Sequence, residues 1–213
     1  PIIGYRAFLF LQHQFYAILD RKLIPQLKKY GLRELLIYVD MNSHWKQIIP
    51  EIFGRDRVFI QRRRYYKMNA IADYIDNRTN SKVEIIRIDR AIKNNKLRNH
   101  RLLNGWVHSF WEDLDNFSTK GTGYCALDGD TIASWCLTVY AFDNERELGL
   151  ETVSDYRSKG LAAAVAKETI KDCKEKGYNL RWHCRENNTL SIAIAEKLGF
   201  IRNKDYEIFC LKV

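Results

Sequence analysis

The loop after residue 156 carries the residues with the clearest chemistry. Arg157, Lys159 and Gly160 stand between an apolar run and an alanine-rich segment that starts at Leu161. This pattern predicts a strand, a tight turn and a helix, and the first N–H groups of a helix have no partner within it. Those donors and the positive end of the helix dipole favour a diphosphate. Gly160 lets the backbone approach such a ligand, although an ordinary strand-to-helix turn explains the same sequence.

A second segment begins about thirty residues further along the chain. Asn188 and Ser191 open a helix-like run, which ends at Gly199 and Phe200. Gly199 suits the position that follows a helix, and Phe200 starts an apolar strand pattern. At this spacing the two segments together indicate one binding site more strongly than either does alone.

Both segments resemble the GCN5-related N-acetyltransferase (GNAT) superfamily. Arg157-Ser158-Lys159-Gly160-Leu161-Ala162 fits its R-x-x-G-x-A pyrophosphate pattern, and Asn188 to Phe200 fits its N-x-x-(A/S)-…-E-K-L-G-F segment. Residues 82–213 resemble in particular the bacterial GNAT acetyltransferase branch that includes the zwittermicin-resistance acetyltransferases. The stretches that carry this likeness are Phe117–Cys125, Ser134–Cys136, Glu151–Thr152 and Trp182–Cys184.

The resemblance implies acetyl-CoA as the acyl donor, an amine as the acceptor and direct transfer between them. It implies that the pyrophosphate lies on the loop and helix start, and the pantetheine arm in a wedge between two strands that splay apart. The implied CoA-binding residues are Thr152, Val153, Arg157, Ser158, Lys159, Gly160, Leu161, Ala162, Ala163, Asn188 and Ser191. We expect a small-molecule amine as partner, with a peptide amine left open.

Acetyl transfer to an amine requires a base for the ammonium proton. A positioned carboxylate or histidine typically contributes about 10²–10⁴-fold. Glu151 is the first candidate because it lies on the strand that leads to the loop, and Glu147 shares its face by two-residue alternation. His183 on the neighbouring strand suits proton relay near neutral pH. A structural ion pair for Glu151 and a core histidine at 183 are the alternatives.

The position of the general acid departs from the family pattern. Many relatives carry a tyrosine on the last helix that protonates the departing thiolate, and the corresponding residue here is Ala195. Ser191, Tyr206 and Cys184 are the substitutes left open. A non-catalytic acyl-CoA-binding sensor is therefore one alternative function.

The composition of the chain limits the class of protein to which it can belong. A chain of 213 residues with 46% hydrophobic and 13% aromatic residues is long and apolar enough to fold around a core. Its apolar runs are too short for a bilayer and it has no signal-peptide pattern, so we expect a cytoplasmic protein without a membrane partner. The five cysteines show no CxxC pair and no Cys/His spacing, so we expect free thiols and no metal.

The net charge of +9 is unevenly distributed. Residues 1–100 carry 20 of the 35 Lys and Arg but only 9 of the 26 Asp and Glu. The basic run from Arg62 to Lys67, interleaved with tyrosines and preceded by Arg55 and Arg57, is compatible with nucleic-acid binding. An RNA-binding protein is therefore the second alternative. A strand with one solvated face is the commoner explanation of such a run, and the acidic balance of the C-terminal half argues against a nucleic-acid partner.

The order of the predicted elements indicates an α+β fold. We predict a GNAT fold over residues 81–213, with a mixed, mostly antiparallel sheet flanked by helices, and a smaller α/β subdomain over 1–80. Predicted strands are 35–39, 58–67, 83–88, 123–127, 132–142, 148–153, 179–185, 200–201 and 206–213. Predicted helices lie within 5–30 and at 44–53, 89–97, 102–111, 161–176 and 189–198, with a helical turn at 69–75 and the boundary at 77–81.

Overall fold

The structure, a computed structural model, describes residues 24–29, 33–39, 44–68 and 83–213. Its helices are α1 (Ile24–Lys29), α2 (Trp45–Phe53), α3 (Ile88–Lys93), α4 (His100–Phe110), α5 (Leu114–Lys120), a 3₁₀ turn (Ser154–Tyr156), α6 (Leu161–Glu175) and α7 (Thr189–Lys197). Its strands are β1 (Glu34–Ile37), β2 (Val58–Met68), β3 (Val83–Arg87), β4 (Gly123–Asp128), β5 (Thr131–Phe142), β6 (Glu145–Thr152), β7 (Asn179–Arg185) and β8 (Phe200–Lys212).

The chain divides into two compact units, and strands β2 and β8 each contribute to both. The smaller unit comprises residues up to Arg63 together with Asp205–Val213. Within it β1 pairs antiparallel with β8, and α1 and α2 pack on a core that includes Ile49, Phe53 and Phe209. The sequence boundary at 77–81, the turn at 69–75 and the helices before residue 24 lie outside the described residues. A division at residue 80 stays a prediction.

The larger unit, residues 64–204, contains six neighbouring strands in the order β2-β7-β6-β5-β4-β3. The pairs β3–β4, β4–β5 and β5–β6 are antiparallel, whereas β6 and β7 run parallel. A parallel pair needs a crossover, which here is helix α6. The α+β class and the mixed, mostly antiparallel sheet are confirmed. No helix in the described ranges is long and apolar enough to cross a membrane.

Each face of this sheet packs against its own helices. On one face α6 and α7 cover a core that includes Cys136, Leu148 and Trp182. The buried side of helix α6 includes the small residues Ala163 and Ala166, and the Thr169 hydroxyl donates to the Cys136 carbonyl at 3.1 Å. The opposite face packs against α3, α4 and α5, with Trp135 at its centre. Successive side chains of β6 therefore point alternately to the face covered by α6 and α7 and to the face covered by α3, α4 and α5.

Four elements differ from the prediction, and one of them is β6, which begins at Glu145 and not at residue 148. Helix α3 begins at Ile88 and ends at Lys93, four residues before the predicted end at 97. Helix α5 was not predicted, although Asp113 caps it by accepting a hydrogen bond from the Asn116 N–H at 2.7 Å. Strand β8 runs unbroken through five exposed residues, 201–205. The sequence predicts two strands here because residues 201–205 show no apolar alternation. Main-chain pairing does not need buried side chains, so the strand continues through them.

Candidate active site

Strands β6 and β7 stay paired over only three residues of each. The pairs join Glu145 to Asn179, residue 146 to 180, and Glu147 to Arg181. Beyond them β6 continues to Thr152 and β7 continues to residue 185. The two strands therefore diverge, and their facing backbone groups border an opening at the end of the strands that leads to α6.

Backbone donors of β6 are directed into this opening. The Val153 N–H donates to the Ala133 carbonyl on β5 at 3.0 Å. Because N–H groups alternate between the two edges of a strand, those of Leu150 and Thr152 point to the β7 side. The Thr152 N–H is 3.1 Å from Oε1 of Glu151. The Thr152 N–H thus donates to the Glu151 carboxylate, and the Leu150 N–H is the donor that the edge of β6 beyond Glu147 directs to a bound molecule.

The turn before α6 has the geometry of an anion site. Gly160 (φ +78°) and Ser158 (φ +60°) are both left-handed, which bends the chain sharply into the helix. The first backbone bond of the helix is donated by the Ala164 N–H to the Gly160 carbonyl. Within the described part of the chain, the N–H groups of residues 158–163 have no backbone acceptor. These donors and the absence of acidic residues from the first turn of α6 fit a diphosphate.

Two basic side chains flank the turn. The Arg157 Nε donates to the Thr152 carbonyl at 3.3 Å, which ties the loop back to the end of β6. The Lys159 ammonium lies 4.6 Å from the centre of the Tyr156 ring. Both cations are thereby held near the turn, where they add to the attraction for an anion.

Glu147 and His183 form a hydrogen-bonded pair where β6 and β7 diverge. The Nδ1 of His183 is 2.9 Å from Oε2 of Glu147, and both side chains are partly buried. A hydrogen bond from Nδ1–H to a carboxylate leaves Nε2 as the basic nitrogen of the neutral ring. The Tyr65 ring lies 4.6 Å from the imidazole, centre to centre. This arrangement of carboxylate and imidazole suits a proton acceptor.

The neighbouring charges are arranged in pairs. Arg181 forms an ion pair with Glu145, and its guanidinium lies 5.6 Å from the centre of the Tyr65 ring. Burial raises the pKa of the Tyr65 hydroxyl, and the charge of Arg181 opposes that rise. Tyr65 therefore stays a neutral hydrogen-bonding group beside the imidazole at physiological pH.

Glu151 lies against the loop arginine. Its Oε1 is 3.6 Å from the Arg157 Nη2, and the Glu151 side chain is 41% exposed. The structure thus pairs His183 with Glu147, the reserve candidate, and pairs Glu151 with the loop. Which carboxylate accepts the proton was left open by alternation, because Glu147 and Glu151 share one face.

Asn188 and Ser191 both have local structural partners. The Asn188 side-chain oxygen accepts from the Ser191 N–H at 3.1 Å and so caps α7. The Ser191 hydroxyl accepts from the Trp182 indole N–H at 2.9 Å. These bonds fix the start of α7 against β7. Contact of either residue with the pantetheine arm stays a prediction.

Ala195, where many relatives have a tyrosine, is fully buried in the core beneath α7. The neighbouring Glu196 accepts a hydrogen bond from the Tyr66 hydroxyl at 3.0 Å, and Tyr66 is itself fully buried. Cys184 is buried in the same core, whereas Tyr206 belongs to the smaller unit and interacts there with Arg63 Nε at 3.2 Å. None of these positions identifies a general acid, and the substitutes stay predictions.

The basic run along β2 has partners within each unit. In the smaller unit Arg62 forms an ion pair with Glu207 at 3.3 Å, and Arg63 donates to Gln61 at 3.0 Å. In the larger unit the Lys67 ammonium lies 5.8 Å from the centre of the Tyr65 ring. The run therefore has the form of a strand with paired polar side chains.

The five cysteines are free and buried. Burial raises the pKa of the Cys125 thiol to about 12 and that of Cys173 to about 11. Both thiols are therefore protonated and weakly nucleophilic at neutral pH. Among the described residues no group of His, Cys, Asp and Glu comes together as a metal site.

Gly149 lets helix α4 pack directly on the backbone of β6. A Cβ at this position would lie 2.4 Å from Val139 Cγ1 and 2.9 Å from Trp106 Cζ3. We expect Gly149→Ala to lower the free energy of unfolding by about 1–3 kcal/mol through overpacking. Gly105→Ala is the matched control, because the space around this α4 glycine is open and alanine favours a helix by about 0.5–1 kcal/mol. Urea denaturation measures both, and equal stability of the two variants would contradict the close approach.

Comparison with known proteins places these features in a family. A sequence model of the family described as GNAT acetyltransferase matches residues 2–209. A protein of Bacillus subtilis (strain 168), named uncharacterized N-acetyltransferase YdfB, is 35% identical over 104 residues, which are 49% of this chain and 40% of that protein. The match therefore spans less than half the length of this curated relative.

Solved structures share the fold. The GCN5-related N-acetyltransferase-like protein of Streptococcus suis 89/1591 superposes with a TM-score of 0.64 at 22% identity, over 83% of this chain and 71% of that one. A GCN5-related N-acetyltransferase from Kribbella flavida gives a TM-score of 0.54 at 11% identity, over 94% and 76% of the two chains. Because the family model extends over nearly the whole sequence, this chain belongs to the GNAT acetyltransferase family.

Proposed function

We propose that this protein transfers an acetyl group from acetyl-CoA directly to the primary amine of a small molecule. The observation that carries the proposal is the divergence of β6 from β7 with the Glu147–His183 pair at its closed end. Acetyl-CoA supplies the acyl group as a thioester, whose thiol is a fair leaving group. The side chains and backbone of this chain supply binding, orientation and a proton acceptor.

The loop and the start of α6 hold the pyrophosphate in this proposal. The N–H groups of residues 158–163 and the cations of Arg157 and Lys159 are its donors. The backbone of Thr152 and Val153 lies beside the pantetheine arm, with Asn188 and Ser191 across the opening. The Leu150 N–H of β6, which points into the opening, polarises the carbonyl to be attacked.

Glu147 and His183 accept the ammonium proton. The imidazole Nε2 takes the proton, and the Glu147 carboxylate on Nδ1 stabilises the resulting imidazolium at 2.9 Å. Glu151 then acts mainly as a positioning residue, since it holds Arg157 at the loop. The alternative is that Glu151 itself is the base. Mutation of each carboxylate in turn distinguishes these two roles.

Titration calorimetry with acetyl-CoA, followed by thiol release with a panel of primary amines, tests the proposal. We expect micromolar binding and amine-dependent release of the CoA thiol. Binding without release for every amine would favour the acyl-CoA sensor, the alternative suggested by the buried Ala195. Absence of acetyl-CoA binding would contradict the proposal itself. Tight, salt-sensitive RNA binding that is lost on neutralising Arg62–Arg64 would favour the second alternative.

A further inference from the structure

Four aromatic side chains lie on the α4 side of the larger unit, and three of them are in ring-to-ring contact. We call this surface the aromatic wall; it consists of Trp106, Phe110, Tyr140 and Phe142. Ring centres are 5.8 Å apart for Trp106 and Phe110, and 5.6 Å apart for Phe110 and Tyr140. Tyr140 is 62% exposed and Phe142 is 78% exposed. Large aromatic side chains that extend in a row into solvent mark a binding surface more often than isolated ones do.

A β-bulge aims this wall at the Glu147–His183 pair. The register of β5 against β6 shifts between Thr138 and Tyr140, so Tyr140 lies directly opposite Glu147. Phe142 in turn lies opposite Glu145. Directly opposed residues of an antiparallel pair share a face and have Cα atoms about 4.5–5.5 Å apart. The exposed rings therefore begin next to the carboxylate that binds the imidazole.

The charges around the pair are close to balanced. Glu145 is matched by Arg181, and Glu151 is matched by Arg157. Glu147 is the carboxylate that remains for the imidazole and the incoming ammonium. An acceptor with many ammonium groups would need several uncompensated carboxylates, whereas the two carboxylates that flank Glu147 on β6 each have an arginine partner. A single ammonium is the charge that the arrangement fits.

We propose that the acceptor is a monoamine whose ammonium is carried on an aromatic or similarly broad apolar body. The body lies on the aromatic wall and the ammonium lies at Glu147 and His183. Apolar burial favours the body, and the ring faces attract the cation. The ammonium gives one proton to His183, and the neutral amine nitrogen then forms a bond to the acyl carbon. The C–S bond breaks, and the thiolate leaves with its electron pair and takes up the second proton that the nitrogen loses as the amide forms. This inference rests on the proposed function.

The test compares three amines on the wild type and on a double variant, Tyr140→Ala with Phe142→Ala. The amines are 2-phenylethylamine, ethanolamine and spermidine. We expect the wild-type KM for 2-phenylethylamine to be at least about tenfold below the other two. The double variant should raise that KM about tenfold while kcat, the KM for ethanolamine and the Kd for acetyl-CoA stay unchanged. Phe142→Leu alone, a change at a highly exposed residue, should raise it by less and keeps the test valid if the double variant is unstable.

Tyr38→Ala is the matched control. Tyr38 belongs to the smaller unit, is 60% exposed and stacks on Tyr206 at 6.4 Å, so it resembles Tyr140 in exposure and ring contact. It should leave every KM unchanged. Equal use of ethanolamine or spermidine by the wild type, or an unchanged KM in the double variant, would overturn this inference and leave the proposed function standing. Absence of acetyl-CoA binding would instead overturn the proposed function.

Discussion

Glu147→Gln is expected to lower kcat for amine acetylation by about 10²–10³-fold, within the range that a positioned general base contributes. Glutamine keeps the size of the side chain and an oxygen for the Nδ1–H of His183. It removes the negative charge 2.9 Å from the ring that stabilises the imidazolium. Steady-state thiol release measures the loss, and calorimetry should show an unchanged Kd for acetyl-CoA.

Glu151→Gln is the matched carboxylate control for this experiment. It lies two positions beyond Gly149 on the same face of β6, and its partner is Arg157 at 3.6 Å. We expect it to lower kcat by less than about tenfold, because an exposed ion pair is worth only about 0.2–1 kcal/mol. If Glu151→Gln caused the large loss and Glu147→Gln did not, Glu151 would be the base, as the strand leading to the loop first suggested.

The strand and the helix that position the site could be predicted because each depends on a pattern of residues close together in the sequence. Strand β7 was predicted to the residue, since its apolar positions alternate regularly and its ends carry polar residues. The start of α6 followed from Gly160 and the alanines after it. Local backbone preference decides such elements, and a single sequence contains it.

The pairing of the catalytic candidates could not be predicted. Alternation places Glu147 and Glu151 on one face, and the register Glu147–Arg181 would set His183 midway between them. The divergence of the strands beyond that pair therefore decides which carboxylate meets His183. The register and the point of divergence both depend on contacts between β6 and β7, which α6 separates in the sequence, so no local pattern reports them.

The aromatic wall was equally hidden from the sequence. The bulge between Thr138 and Tyr140 puts two successive residues of β5 on one face, so a strict two-residue alternation assigns Tyr140 to the wrong side. No local pattern reports this arrangement.

The hydrogen bond between Tyr66 and Glu196 in the core could not be predicted either. The two residues are separated by 130 positions, and no local pattern links them.

Gly160→Asp is expected to weaken acetyl-CoA binding by about 10²-fold or more, as calorimetry would measure. An aspartate at the N-cap of α6 accepts the helix N–H groups that the pyrophosphate needs. It also places a negative charge where the anion would lie, and each lost hydrogen bond to a charged group costs about 1.5–3 kcal/mol. The fold should survive, because aspartate tolerates a left-handed conformation better than most residues and caps a helix well.

Gly177→Asp is the control that distinguishes an effect on the anion site from the cost of placing aspartate in a left-handed backbone conformation. Gly177 follows the other end of α6 with φ +76°, nearly the +78° of Gly160, and a Cβ there meets open space. The two variants therefore share the new charge and the cost of a left-handed side chain, and they differ in distance from the anion donors. Unchanged acetyl-CoA affinity in Gly177→Asp beside a large loss in Gly160→Asp would locate the pyrophosphate at the start of α6. Normal affinity in Gly160→Asp would remove the basis for that location, and the divergence of β6 and β7 would need another ligand.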